Sequence, residues 1–256
     1  MVVDFVDDLR NNAKLGCYMS KKMTFAEKVL QFYDKLSYAS FDVPTGFKII
    51  NPFNGNHKDL VKKIMTQFYQ KYYNDVHPRR LILGSSPSRR ASGVTGIPFE
   101  DTKHLSEMGI FIDKFYVTKS SSGFLYDVMR EYGGCEKFYT DFYMNFAHPL
   151  GIIKIHSKGN EVNFNYYEDK KLQAILYPFI ISTLRAQIDF GIDTSVCYCI
   201  GSGGNYSFLS NINEKHHFFD EIIPLEHPRF IMQYHSKDKV KFMDKYLNAL
   251  HNSELK

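Results

Sequence analysis

The chain has 256 residues, 44% of them hydrophobic and 16% aromatic, with 18 Tyr, 22 Phe and no Trp. That suffices for a substantial core in one large domain or two small ones. The formal net charge of +4 is a weak argument for an acidic partner, so a nucleic-acid binder of this composition must concentrate its positive charge on one face.

Four cysteines, Cys17, Cys135, Cys197 and Cys199, include no Cys-x-x-Cys pair. Reduced core thiols are the expectation, without a disulfide framework, a zinc site or any other metal. No run is long and apolar enough to span a membrane. The first residues include Asp4, Asp7 and Asp8 and do not resemble a signal peptide, so the expected location is the cytoplasm.

Residues 1–22 are weakly patterned and read as a loosely attached N-terminal extension to a single domain over 23–256. Thr24 and Glu27 form a capping-box signature. Behind it Phe25, Val29, Leu30 and Tyr33 repeat at helical spacing to about Leu36. Asn51-Pro52-Phe53 has no glycine-ended strand before it and leads into a second helix over about Lys58 to Tyr73. Leu60, Ile64, Phe68 and Tyr72 mark one face of that helix.

Leu81-Ile82-Leu83 is a short apolar run that reads as a buried strand ended by Gly84. A long small-residue loop follows it to Asp101. Ser120 to Ser122 cap a third helix, which Gly133-Gly134 stops after Tyr132. A second strand covers Phe142 to Ala147 and ends at His148-Pro149. Residues 156–169 are polar and read as loop.

A long helix follows over about Asp169 to Phe190, kinked or divided at Pro178. Ser195 to Ile200 is a third strand, and Gly201-Ser202-Gly203-Gly204 turns into a short helix. Ile222 to Leu225 is a fourth strand that ends in His227-Pro228-Arg229. A last helix runs from near Ser236 to near Leu250.

Strands alternating with helices imply an α/β fold, a three-layer α/β/α sandwich on a central four-stranded parallel sheet. All four strand ends then share one edge, which gathers Ser86, His148, the Gly201 turn and His227 into one cleft. The glycine-rich turn lacks Gly-x-Gly-x-x-Gly spacing, so it does not predict a dinucleotide. It can bring backbone amides at Ser202 up to a phosphate.

Two of these strand-end segments carry a resemblance. Gly93-Val94-Thr95-Gly96-Ile97-Pro98-Phe99 and His227-Pro228-Arg229-Phe230 resemble the two motifs of the uracil-DNA glycosylase superfamily. The match is closest to the second subfamily of the single-strand-selective monofunctional enzymes and runs from about Met23 to about Leu250. It implies DNA as partner, a monomer without cofactor or membrane, and hydrolysis without strand cleavage. Phe99 takes the place of the family's base-stacking residue. His227 takes the place of the histidine that stabilises the departing base. Arg89, Arg90 and Arg229 are expected on phosphates, and Phe230 is the head of a segment that wedges into the duplex.

The chain also departs from the family. Gly84-Ser85-Ser86-Pro87-Ser88 stands where relatives have Gly-x-Asn-Pro-Gly, so Ser86 occupies the place of the water-positioning Asn. His148 stands before Pro149 where relatives have a small residue. Asn145 is offset by one residue from the base-reading Asn. With Ser85, these changes line the expected pocket and suggest a bulky modified base, such as a hypermodified cytosine of phage DNA excised in defence. His148, Glu100 and Asp101, in that order, are then candidates for protonating such a leaving group. The alternatives are uracil repair and a DNA-binding relative without catalysis.

Overall fold

The computed structural model describes residues 22–114 and 120–251, which leaves the N-terminal extension and Cys17 outside the described residues. Helix α1 (Phe25–Leu36) begins at the capping box. Thr24 Oγ1 accepts the Glu27 N–H at 3.2 Å and the Glu27 carboxylate accepts the Thr24 N–H at 2.7 Å. Its inward stripe is Phe25, Val29, Phe32, Tyr33 and Leu36. Strand β1 (Phe47–Ile50) follows, then α2 (Lys58–Tyr72), which buries Ile64, Phe68 and Tyr72 as the spacing predicts. Leu60 stays half-buried, and Val61 and Met65 complete that face.

The rest of the chain runs β2 (Arg79–Gly84), α3 (Ser92–Thr95), α4 (Thr102–Glu107), α5 (Ser120–Tyr132), α6 (Cys135–Asp141) and β3 (Phe142–Phe146). Then come β4 (Gly151–Ile155), β5 (Glu161–Asn163), a 3-10 turn (Tyr166–Glu168), α7 (Lys170–Ile188), β6 (Ile192–Ile200) and α8 (Gly204–His216). The last elements are β7 (Glu221–Leu225), α9 (Pro228–Tyr234), a second 3-10 turn and α10 (Lys239–His251).

The main sheet has the order β3-β2-β6-β7, and every pairing in it is parallel. The expected fold class is therefore observed. β2 lies centrally and is buried at every position. Pro224 is tolerated because β7 is an edge strand, where a missing N–H costs no ladder bond. Tyr33 and Phe190 bring α1 and the end of α7 to one face, on Asn145 and Tyr143. Tyr132 of α5, against Phe142, and Ala249 of α10, bonded to Tyr198, cover the other.

The two arginines that open β2 tie these layers on. The Arg79 guanidinium is buried, donates to both Asp75 carboxylate oxygens at 2.8 and 2.7 Å, and donates to the Tyr139 carbonyl at 2.7 Å. It also lies over the Phe25 and Tyr73 rings. Arg80 lies over Phe142 and donates to the Leu250 carbonyl at 3.2 Å. Both sit at the opposite end of the strand from the expected cleft.

Four expectations need correction. Residues 156–169 are not simply loop, since they contain β5 and the 3-10 turn. β1, β4 and β5 form a second, antiparallel sheet in the order β1-β4-β5, so a strand does precede Asn51, although it ends in Ile50 rather than glycine. Pro178 does not divide α7, which is continuous over 19 residues. Ser120 to Ser122 do not precede the third helix as its cap but form the first turn of α5. Among the described residues no helix is long and apolar enough to cross a membrane.

Candidate active site

The parallel register brings four strand ends level. Gly84 pairs with Phe146, Leu83 with Cys199, and Ile200 with Leu225. Backbone bonds continue past the strands. Ala147 N donates to the Gly84 carbonyl at 2.9 Å, His148 N to Ser85 at 3.0 Å, and Gly201 N to Leu225 at 2.8 Å. Ser86 and His227 therefore leave the same edge, one strand apart, at roughly 10 Å given the usual strand spacing.

Phe99 is held beside the end of β2. Its ring stacks on Phe146 with centroids 4.7 Å apart and an angle of 27°. Its N–H donates to Ser92 Oγ at 2.9 Å. The backbone has φ of 63°, a left-handed conformation that a bulky residue adopts only under surrounding constraint. Gly84 is required by this packing, because a Cβ there would lie 2.6 Å from Phe99 Cζ and 2.8 Å from Phe146 Cδ1.

His227 is the N-cap of α9. Its Nδ1 accepts the Arg229 N–H at 3.0 Å, which places the ring proton of the neutral form on Nε2. The residue as a whole is exposed, with partial desolvation at the ring. That desolvation, and after it the Arg229 cation, lowers its pKa from 6.5 to about 4. At neutral pH the site thus holds a neutral imidazole with one N–H to give. Arg229 and Phe230 are exposed on α9, where Phe230 meets Tyr234 and His235 in an aromatic patch.

The loop after β2 is fastened from the side by the second sheet and its 3-10 turn. Asn163 Nδ2 donates to Ser88 Oγ at 3.2 Å, and Asn163 Oδ1 accepts the Arg89 N–H at 3.0 Å. Ser85 Oγ donates to Asn165 Oδ1 at 2.9 Å. The Tyr167 ring lies so close to Gly204 that a Cβ there would come within 2.6 Å of it. Ser85, Ser86, Ser88 and Arg89 are half-buried along this wall, and Arg90 and Ser202 are exposed. Asn163, Asn165 and Tyr167 were missed in the sequence. The alternation from Glu161 to Tyr166 is the strand signal that marks them.

Four expected pocket residues lie elsewhere. Asn145 is fully buried, with Oδ1 accepting from Tyr33 at 3.2 Å and from the Phe146 N–H at 2.8 Å, and Nδ2 donating to Tyr143 at 2.7 Å. Side chains alternate along β3, so with Phe146 turned to Phe99, Asn145 faces the α1 side. His148 is fully buried among Phe41, Phe179 and Tyr166, and its Nδ1 bonds the Leu150 carbonyl at 2.7 Å. Burial lowers its pKa to about 4, so it is neutral at pH 7 and offers no imidazolium. Glu100 is buried with Tyr139 donating to it at 2.6 Å, and burial raises its pKa to about 7. Asp101 caps α4 through the His104 N–H. None of these groups is placed to protonate a base at the strand ends.

A groove of about 560 Å³ opens between α1 and α2, lined by Tyr33, Phe53 and Lys62 among others, and it contains none of the motif residues. Among the described residues no cluster of three or more His, Cys, Asp or Glu could hold a metal ion.

One edge of the four-stranded parallel sheet thus carries Phe99, the loop of residues 85–88 and the helix-capping His227. The family model of the uracil DNA glycosylase superfamily matches residues 70–251, and the chain belongs to that superfamily. Among solved structures it is similar to a crystal structure of wild-type SMUG2 from Pedobacter heparinus. The two are 45% identical with a TM-score of 0.85, over 90% of this chain and 100% of that one. The resemblance to the second single-strand-selective monofunctional subfamily is thus borne out. No curated protein matches the chain.

Proposed function

We propose that this chain hydrolyses the bond between one base and its sugar in DNA and leaves the phosphodiester backbone intact. The observation that carries the reading is the His227 ring, whose Nδ1 accepts the Arg229 N–H and so leaves Nε2–H as the ring donor at the edge that also carries Phe99 and Ser86. The target nucleotide leaves the stack at a cost of a few kcal/mol. Phe99 offers the base a flat partner worth about 1–3 kcal/mol. Ser86 holds a water with its hydroxyl, and the water oxygen bonds to C1′ as the C1′–N bond breaks, its proton passing to solvent, from which the departed base anion is later protonated. The electron pair departs on the base, and His227 Nε2–H donates to the charge that develops there. Arg89, Arg90, Arg229 and the first amides of α8 near Ser202 take phosphates, and Phe230 fills the stack.

The substrate we favour is uracil or a related deaminated base, which departs as an anion without prior protonation. A cytosine-type leaving group needs an acid, whereas Glu100 and Asp101 are bonded in the interior and His148, with Nδ1 on the Leu150 carbonyl and Nε2 unpartnered, is fully buried and neutral at pH 7. The second reading, a bulky modified cytosine of phage DNA removed in defence, draws on the short side chains of Ser85, Ser86 and Ser88. Oligonucleotides carrying uracil or glucosylated hydroxymethylcytosine separate the two by which base is released. Release of neither supports a DNA-binding relative without catalysis.

A further inference from the structure

The segment after β5 carries a directional hydrogen-bond chain that ends in the cleft. A carboxylate only accepts. Glu168 Oε1 takes the Asn165 backbone N–H at 3.2 Å and also the Asn165 side-chain Nδ2. The amide group facing that carboxylate must be the NH2, so the amide oxygen faces Ser85, whose Oγ lies 2.9 Å away. A carbonyl oxygen cannot donate. The single hydroxyl proton of Ser85 is therefore committed to Asn165, and Ser85 has only lone pairs left for any further partner.

We propose that Asn165 and Glu168 are specificity-determining residues that lock the Ser85 hydroxyl as a hydrogen-bond acceptor toward the flipped base. The inference rests on the glycosylase reading and concerns which residues set its preference between uracil and cytosine. Uracil carries a ring N–H beside a carbonyl where cytosine carries a ring nitrogen lone pair. A locked acceptor attracts that N–H and opposes the lone pair.

The test uses two non-cleavable single-stranded probes that differ in one nucleotide, 2′-fluoroarabino-uridine or 2′-fluoroarabino-cytidine. Competition fluorescence anisotropy gives the ratio of their affinities. Wild type is expected to prefer the uridine probe by about tenfold or more, the scale on which a site built for a hydrogen bond rejects an analogue lacking it. Glu168→Gln lets the Asn165 amide turn over, because a glutamine amide can donate as well as accept, and the ratio should fall toward one. Glu168 is exposed, and unchanged melting checks that the variant folds.

In the Ser85→Ala background the ratio should already be low, and Glu168→Gln should add no further change. A purely structural role of the turn would not make the two substitutions redundant. An unaltered ratio in Glu168→Gln, or an equal drop with and without Ser85, overturns the inference. If wild type also releases no base from cleavable uracil DNA, the glycosylase reading beneath it fails as well. If wild type releases uracil while the ratio stays fixed, only the polarity lock is wrong.

Discussion

A histidine that stabilises a departing anion gains most from being neutral with its proton aimed outward, and the Arg229 N–H on Nδ1 sets that state in His227. His227→Ala should cut single-turnover base release by about 100- to 1,000-fold, the usual effect of removing one preorganised donor. DNA affinity should stay near wild type, because the donor acts mainly in the transition state. The folded pKa is depressed to about 4, below the ordinary 6.5. The sign follows: the neutral form persists as pH falls from 8 to about 5, and it is lost only as pH drops through about 4. A pH–rate profile with an inflection near 6.5 that vanishes in His227→Ala would show that the working form is different. Protonation favours the unfolded state here, so any stability held by neutral His227 is complete above 6.5 and declines below it.

At the scale of elements, the contact between the end of β2 and the Phe99 loop sets the stacking platform. Gly84→Ala forces a Cβ into the Phe99 and Phe146 rings. It should cost about 1–3 kcal/mol of stability and slow base release, read by thermal melting and single-turnover assay. At the other end of the strand, Arg79→Ala removes a buried cation and should destabilise by about 3 kcal/mol. Burial is the largest single influence and raises the Asp75 pKa, but the hydrogen bonds and charges of Arg79 and His77 together outweigh it, and the net pKa lies below 3.8. That part of the stability is present above 3.8, is lost as pH falls below it, and should be missing from the acid-denaturation curve of Arg79→Ala. The four parallel strands were legible because each is a short apolar run closed by turn chemistry, and α1 was legible from Thr24 and Glu27. The second sheet was not, because its strands are short and carry polar residues such as Lys48 and Lys154. The Lys154 ammonium instead lies over the Phe47 and Phe164 rings, a contact that no local pattern announces.

At the scale of the whole molecule, topology makes a site from residues far apart in sequence. Ser86, Phe99 and His227 were named from the resemblance of their segments to the superfamily's motifs, and the parallel sheet brings those segments to one edge. Asn145 and His148 were misplaced because their roles depend on which face of the sheet and which side of the turn they take. That is decided by tertiary partners, Tyr33 and Tyr143 for one and Phe41 and Phe179 for the other. The same layout puts the cations Arg89, Arg90 and Arg229 on the edge that carries the site. DNA binding should therefore weaken with salt, and replacing Arg90 should lower the salt slope by about one. The central claim is base hydrolysis without strand scission at this edge. It is tested most directly by incubating the protein with an end-labelled oligonucleotide containing one uracil and measuring free base and strand breaks separately. The account predicts free uracil, an intact strand before alkali and a break at that position only after it, with none of this in His227→Ala. Direct nicking by the protein alone, or equal uracil release by His227→Ala, would contradict it.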